Sequence, residues 1–164
     1  MNMRELIFVF IFLAGLSFYF FRKKILPGTK GLTPELERLM ASKADQYGVD
    51  RALVKAVAKI ESNFNPRAKN PADPSYGLMQ ITPMLAQDFG LVKDYRNPSA
   101  SEIERLYDLD NNLYVACSFM ARLHSKYDFD QAVQSYNVGE WGYKIGYRNL
   151  DYLKKVKRYY EKYS

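Results

Sequence analysis

The sequence predicts an all-α domain, and three observations predict it. Apolar residues recur at helical spacing, most plainly at Leu113, Ala116, Cys117, Met120 and Leu123. Such runs open on capping residues and close on glycine, as from Thr33-Pro34 to Gly48. No stretch alternates apolar and polar residues as a half-buried strand would, and no internal repeat is present.

The elements follow in order. Leu6 to Phe21 is an uncharged run of sixteen residues rich in Phe, Ile and Leu. As a helix it spans about 24 Å, a little short of a roughly 30 Å hydrocarbon core. Arg4 and Arg22-Lys23-Lys24 can snorkel to close the gap. Residues 1–24 are therefore expected to form a transmembrane anchor with a basic flank. A cleaved signal peptide is the competing reading. Against it, no small-residue cleavage site precedes Arg22, and no cysteine follows that would carry a lipid. Residues 25–33, with Pro27, Gly28 and Gly31, read as a linker, and residues 34–164 as the helical domain.

Within that domain, Thr33-Pro34 supplies an N-cap and a first-turn proline, and the helix runs through Leu36, Leu39, Met40 and Ala44. Asp50 caps a second helix ending near Glu61. Residues 65–77, with three prolines, form a loop. Thr82-Pro83 starts a short helix that stops near Gly90. Asp110 is expected to open the helix of Leu113, Asp130 the helix leading to Tyr136, and Asp151 a last helix from Tyr152 onward.

Composition narrows the function classes. With 48% hydrophobic and 15% aromatic residues the chain is not disordered. Its single cysteine, Cys117, excludes an internal disulfide and reads as a buried structural thiol. One cysteine and one histidine, His124, exclude a zinc site of the usual ligand count, and no cofactor motif is present. The net charge is +6, of which residues 1–24 carry +3 through four cations and one anion. Half of the basic excess thus speaks to lipid headgroups. The mildly basic remainder suits an anionic polymer and makes no nucleic-acid footprint. Lys154, Lys155, Lys157 and Arg158 read as a solvated helix face.

Glu61 is the candidate catalytic residue. It ends the apolar run Ala52 to Ile60. A carboxylate at the C-terminal end of a buried helix feels the negative end of the dipole and loses water, and both effects raise its pKa. A carboxylic acid that keeps its proton near neutral pH suits the protonation of a leaving oxygen in glycoside cleavage. Glycosidases of the ordinary kind need a second carboxylate, and the nearest in sequence, Asp73 and Asp88, read as loop and helix-surface residues.

Four blocks stand in order: Glu61-Ser62, Gly77-Leu78-Met79-Gln80, Ser135-Tyr136-Asn137-Val138-Gly139 and Tyr152-Leu153-Lys154-Lys155-Val156. Together they resemble the soluble-type lytic transglycosylases, relatives of goose-type lysozyme, over roughly Leu36 to Tyr160. The resemblance implies a compact lysozyme-like domain acting on peptidoglycan glycan strands, with a 1,6-anhydro product and Glu61 as the single acid and base. It implies that Ser62 hydrogen-bonds near the acid. Met79 and Gln80 would line the cleft and bind sugar amides. Tyr136 and Asn137 would orient the acid and hold the acetamido group. Tyr152 would reach the acid through its hydroxyl, with Tyr159 and Tyr160 as the other candidates. Gly77 either lets the backbone approach the sugar or takes a positive φ. Pro74-Ser75-Tyr76 departs from the family pattern and stiffens that loop, and Ser135 replaces the usual alanine. Trp141 either stacks on a sugar face or packs.

The resemblance also implies a location. An inner-membrane anchor with the domain facing the periplasm fits the substrate, although the Lys/Arg-rich flank after Phe21 argues by the positive-inside rule for the opposite orientation. A virion membrane is an alternative. A small enzyme suits local wall opening for an envelope-spanning assembly or a phage. A hydrolytic muramidase and a non-catalytic wall-binding scaffold are the competing functions.

Overall fold

A computed structural model describes residues 31–164, and among these every regular element is helical. The anchor of residues 1–24 and most of the 25–33 linker lie outside the described residues. Among the described residues no helix is long and apolar enough to cross a membrane.

Eight helices follow one another. Helix α1 (Pro34–Tyr47) has the expected start and stop. The Thr33 side chain accepts from the Leu36 amide, and Gly48 closes the helix at φ 64°, a left-handed position glycine takes without strain. Helix α2 (Arg51–Ser62) is capped by Asp50, whose side chain accepts from the amides of Ala52 and Leu53. Then come α3 (Pro83–Asp88), α4 (Ala100–Tyr107), α5 (Leu109–His124), α6 (Phe129–Val138), α7 (Glu140–Lys144) and α8 (Leu150–Tyr163).

Three expected helix starts move by two residues, all in the same direction. The caps are Asp108, Asp128 and Asn149, not Asp110, Asp130 and Asp151. Each pair has the pattern Asx-apolar-Asp, so two residues in each could cap. The upstream one wins, because its side chain reaches the amide three residues on (Asn111, Gln131 and Tyr152 respectively). The downstream aspartate then lies in the first turn, where its charge meets the positive end of the dipole. Helices α4 and α7 were not expected. Helix α4 carries a capping box between Ser99 and Glu102. Five-residue α7 opens at Gly139 without a side-chain cap.

The core forms where α2 is sandwiched. Its buried residues (Ala52, Leu53, Val54, Ala56, Val57 and Ala58) cover most of its circumference. It packs most extensively on α8, through Tyr152, Leu153 and Val156, and next on α1, through Leu36, Met40 and Ala44. Helix α5 adds Leu113, Ala116, Cys117 and Met120 to the same core. Cys117 is fully buried, and that burial pushes its thiol up to about 12, so it is an inert filler rather than a nucleophile.

The segment between α2 and α3 has no helix of its own. Tyr76 pairs with Lys69 and with Ile81 as isolated bridges, the latter through reciprocal 3.0 Å backbone hydrogen bonds. This loop lies over the end of α2 and defines the site.

The cap assignments are testable by urea denaturation. Asp128→Ala should cost about 1 kcal/mol, the usual loss for an N-cap. Asp130→Ala should cost only a few tenths, because its 2.7 Å pair with Lys157 is half exposed.

Candidate active site

A groove of about 960 Å³ runs past the C-terminal end of α2. Glu61 and Ser62 form part of it, with Lys69, Asp73 and Gln80 from the loop, Met84 and Asp88 from α3, Phe119 and Arg122 from α5, Tyr136 and Asn137 from α6, and Trp141 from α7.

Glu61 sits in the last turn of α2, largely enclosed by core neighbours. Tyr152, 6% exposed on α8, donates a 2.6 Å hydrogen bond to its Oε1. Burial raises the Glu61 carboxyl to about 7, and the Tyr152 hydrogen bond, which favours the ionised form, partly opposes that rise. Near neutral pH the group is therefore divided between acid and carboxylate. Tyr152 and Tyr136 are both pushed well above the usual phenol range, first by burial and then by the Glu61 charge, so both remain hydrogen-bond donors.

The helix bearing Glu61 ends abruptly. Asn63 (φ 53°) and Phe64 (φ 61°) are consecutive left-handed residues, and Gln80 (φ 49°) is the third non-glycine residue of positive φ among those described. All three lie at or beside the groove, where such backbone cost is commonly concentrated.

The expected site residues separate into two groups. Ser62, Gln80, Tyr136 and Asn137 line the groove with Glu61. Ser62 donates back to the Ala58 carbonyl at 3.1 Å rather than to the acid. The Gln80 amide is turned inward. Its Nε2 donates to the carbonyls of Gly77 (2.8 Å) and Ala68 (3.3 Å), and its Oε1 accepts from Ser75 (2.9 Å). Tyr136 donates to the Met79 carbonyl at 3.0 Å. Asn137 is exposed and accepts at Oδ1 from Asn149.

Met79 and Gly77 do not line the groove. The Met79 side chain is fully buried in the core, a correction to the expectation that it forms the cleft wall. Apolar burial is the ordinary fate of methionine. Gly77 takes the positive-φ alternative, at 79°, and is also tightly enclosed. A Cβ there would meet Asn112 Nδ2 at 2.5 Å and the Leu106 carbonyl at 2.7 Å. Tyr152 touches the acid from the core side, and the other two candidate tyrosines do not take that place. Tyr160 donates to Asp50, and Tyr159 stacks on Tyr163.

Asn112 was not anticipated. It is fully buried on α5 and makes three hydrogen bonds to backbone atoms. Its Nδ2 donates to the carbonyls of Tyr76 (2.9 Å) and Leu106 (2.7 Å), and its Oδ1 accepts from the Met79 amide (2.7 Å). The signal was present: Asn112 shares an apolar helix stripe with Val115, Ala116 and Phe119, where a polar residue needs partners. Trp141 is 73% exposed on the groove rim, which removes packing as the reason for its presence.

A helical domain whose groove holds one buried acid at a helix end belongs to the lysozyme-like class. The family model of the transglycosylase SLT domain matches residues 38–155, so the chain belongs to that family. It is 36% identical over 86 residues to a membrane-bound lytic murein transglycosylase C of Sodalis glossinidius, covering 51% of this chain and 23% of that protein. It is 32% identical over 111 residues to a membrane-bound lytic murein transglycosylase E of Buchnera aphidicola, covering 66% of this chain and 47% of that one. An inactive mutant of the lytic transglycosylase Slt from Pseudomonas aeruginosa shares the fold, with a TM-score of 0.60 at 20% identity over 77% of this chain and 23% of that chain. This chain thus spans between about a quarter and a half of the relatives it matches.

Two variants probe the site without substrate. Between about pH 4.5 and 7 the folded state holds the Glu61 proton that the unfolded chain releases, so its contribution to stability falls as pH rises through that window. Glu61→Gln keeps an acceptor for Tyr152 and cannot ionise. It should be more stable than the wild type at pH 8, by up to about 3 kcal/mol, with the gain vanishing toward pH 5; urea denaturation at both values checks this. Asn112→Ala removes the partner of the Met79 amide and of the Leu106 carbonyl, while the Tyr76 carbonyl keeps the Ile81 amide, and should cost on the order of 3 kcal/mol, read by the same method.

Proposed function

We propose that the chain is a lytic transglycosylase that cleaves peptidoglycan glycan strands with Glu61 as its single acid and base. The observation that carries this reading is the enclosed Glu61 carboxyl at the groove, raised to about 7 and held by Tyr152. Such a group can give a proton and then take one back within the same turnover.

In the proposed reaction, protonated Glu61 donates to the oxygen joining C1 of N-acetylmuramic acid to N-acetylglucosamine. The C1–O bond breaks and the electron pair leaves with that oxygen. The muramoyl C6 hydroxyl closes onto C1 and gives its proton to the Glu61 carboxylate. A 1,6-anhydro sugar results, Glu61 is protonated again and no water is consumed. Tyr152 orients the carboxyl from the core side. Asn137, exposed in the groove, and the Trp141 face are the groups offered to the sugar amide and ring. Ser62, Gln80, Gly77, Met79 and Tyr136 act by fixing the groove's shape, since their polar atoms or side chains are engaged internally.

Asp73 also lines the groove, which keeps hydrolysis as a second reading: a muramidase would use it as the other carboxylate. The resemblance to proteins named as membrane-bound and the apolar run of residues 6–21 support tethering at a membrane. The proposal extends this to the inner membrane, with the domain facing the wall and opening it locally for an envelope-spanning assembly or a phage.

Mass spectrometry of purified peptidoglycan digested by the full chain tests these readings. Anhydromuramoyl products from the wild type, reduced at least a thousandfold in Glu61→Gln, are expected, a loss of roughly 4 kcal/mol or more in barrier terms. Reducing-end products, heavier by one water, would make the enzyme a muramidase. Absence of products from both forms would leave a wall-binding module.

A further inference from the structure

The proposed reaction uses none of the three cations that line the groove, Lys69, Arg122 and Lys144. Arg122 stands in the last turn of α5, and its guanidinium lies over the rings of Phe89 (5.3 Å) and Phe119 (5.0 Å). Both rings lie within cation–π range of the guanidinium, whose side chain is partly open to the groove. Its Nε is buried with no hydrogen-bond partner. Among the described residues its anion is Asp88, at 3.5 Å, longer than the 2.7–2.9 Å of a charge-assisted hydrogen bond. The Asp88 side chain is 56% exposed, and a solvated pair of this kind holds its partner weakly. A guanidinium that lines a groove and is short of acceptors can receive a carboxylate on two parallel N–H groups.

Its place along the groove gives the carboxylate a source. Arg122, Phe119, Tyr136 and Glu61 line the same groove, and the Phe119 ring lies 5.7 Å from that of Tyr136. The other groove cations are less suited. Lys144 is paired with Glu140, and Lys69 lies over the Tyr76 ring at 5.9 Å. Peptidoglycan carries a short peptide on each muramoyl sugar, attached through a lactyl ether and bearing free carboxylates. We propose that Arg122 binds a carboxylate of this stem peptide, displacing Asp88, so that the enzyme selects peptide-bearing over peptide-stripped strands. The inference rests on the peptidoglycan reading above.

The test compares kcat/KM of the full chain on two preparations of one glycan, with peptides intact and with peptides removed by an amidase. Arg122→Gln should lower the ratio of the two values about tenfold, the loss of one charge-assisted contact. Arg122→Lys should restore it only in part, because the ammonium lacks the fork. Asp88→Asn should raise the ratio, since the competing carboxylate is gone. Intact strands with amidated carboxylates should behave as stripped ones. An equal loss on both preparations in Arg122→Gln would reduce Arg122 to a cover over Phe89 and Phe119, and an unchanged ratio would equally overturn the site. A wild type that cleaves neither preparation would overturn the peptidoglycan reading, and this inference with it.

Discussion

The groove depends on three hydrogen bonds made by one buried side chain. Asn112 ties the backbone at Tyr76, Met79 and Leu106 to the start of α5. Without it the Met79 amide of the loop and the Leu106 carbonyl of α4 would be buried unmet, at a cost of about 1–3 kcal/mol for each, while the Tyr76 carbonyl would keep only the Ile81 amide. With the loop fixed, the Met79 carbonyl stands where the Tyr136 hydroxyl can reach it, and Tyr136 closes one side of the groove beside Glu61. Gly77 is the local consequence. Asn112 and the Leu106 carbonyl approach so closely that no side chain fits between.

Glu61 sets a second constraint that works against the first. A fold stabilised only for its own sake would not place a carboxyl among apolar neighbours at the end of its central helix. Burial holds the proton on the group up to about 7, and ionisation above that is opposed by the enclosure itself. Tyr152 moderates the conflict. Its hydroxyl gives the carboxylate one partner and fixes which oxygen faces inward. The second oxygen is left for the groove. The left-handed pair Asn63 and Phe64 turns the chain away immediately after Ser62, so the helix end is not covered by its own continuation.

Much of this was legible in the sequence, and the failures share physical causes. Thr33-Pro34, Gly48, Asp50 and Thr82-Pro83 marked element ends because one residue at each offered the needed geometry. The Asx-apolar-Asp pairs offered two, and spacing alone could not choose between a cap and a first-turn acid. Helix α7 was hidden because it is five residues long and starts without a side-chain cap. At the site, Glu61 and Tyr152 were expected to meet and lie 2.6 Å apart. Asn112 was passed over because a local pattern marks a residue as polar without saying what backbone, about 33 to 36 residues away in sequence, folds against it.

The Gly77-Leu78-Met79-Gln80 block shows why a motif in a groove need not be made of contact residues. Each of its four side-chain positions faces inward or is occupied. Gly77 yields space to Asn112, and Leu78 and Met79 are fully buried. Gln80 spends its amide on Gly77, Ala68 and Ser75 while holding a left-handed backbone. What such a block can give a substrate is position. It places the Met79 carbonyl for Tyr136 and keeps the loop rigid beside the acid. In the proposed reading, direct recognition falls to residues outside the block: exposed Asn137 and Trp141, and the under-bonded fork of Arg122. A preformed frame with a few well-placed polar or aromatic groups is the usual construction of a binding groove, and it is the construction the proposed function requires here.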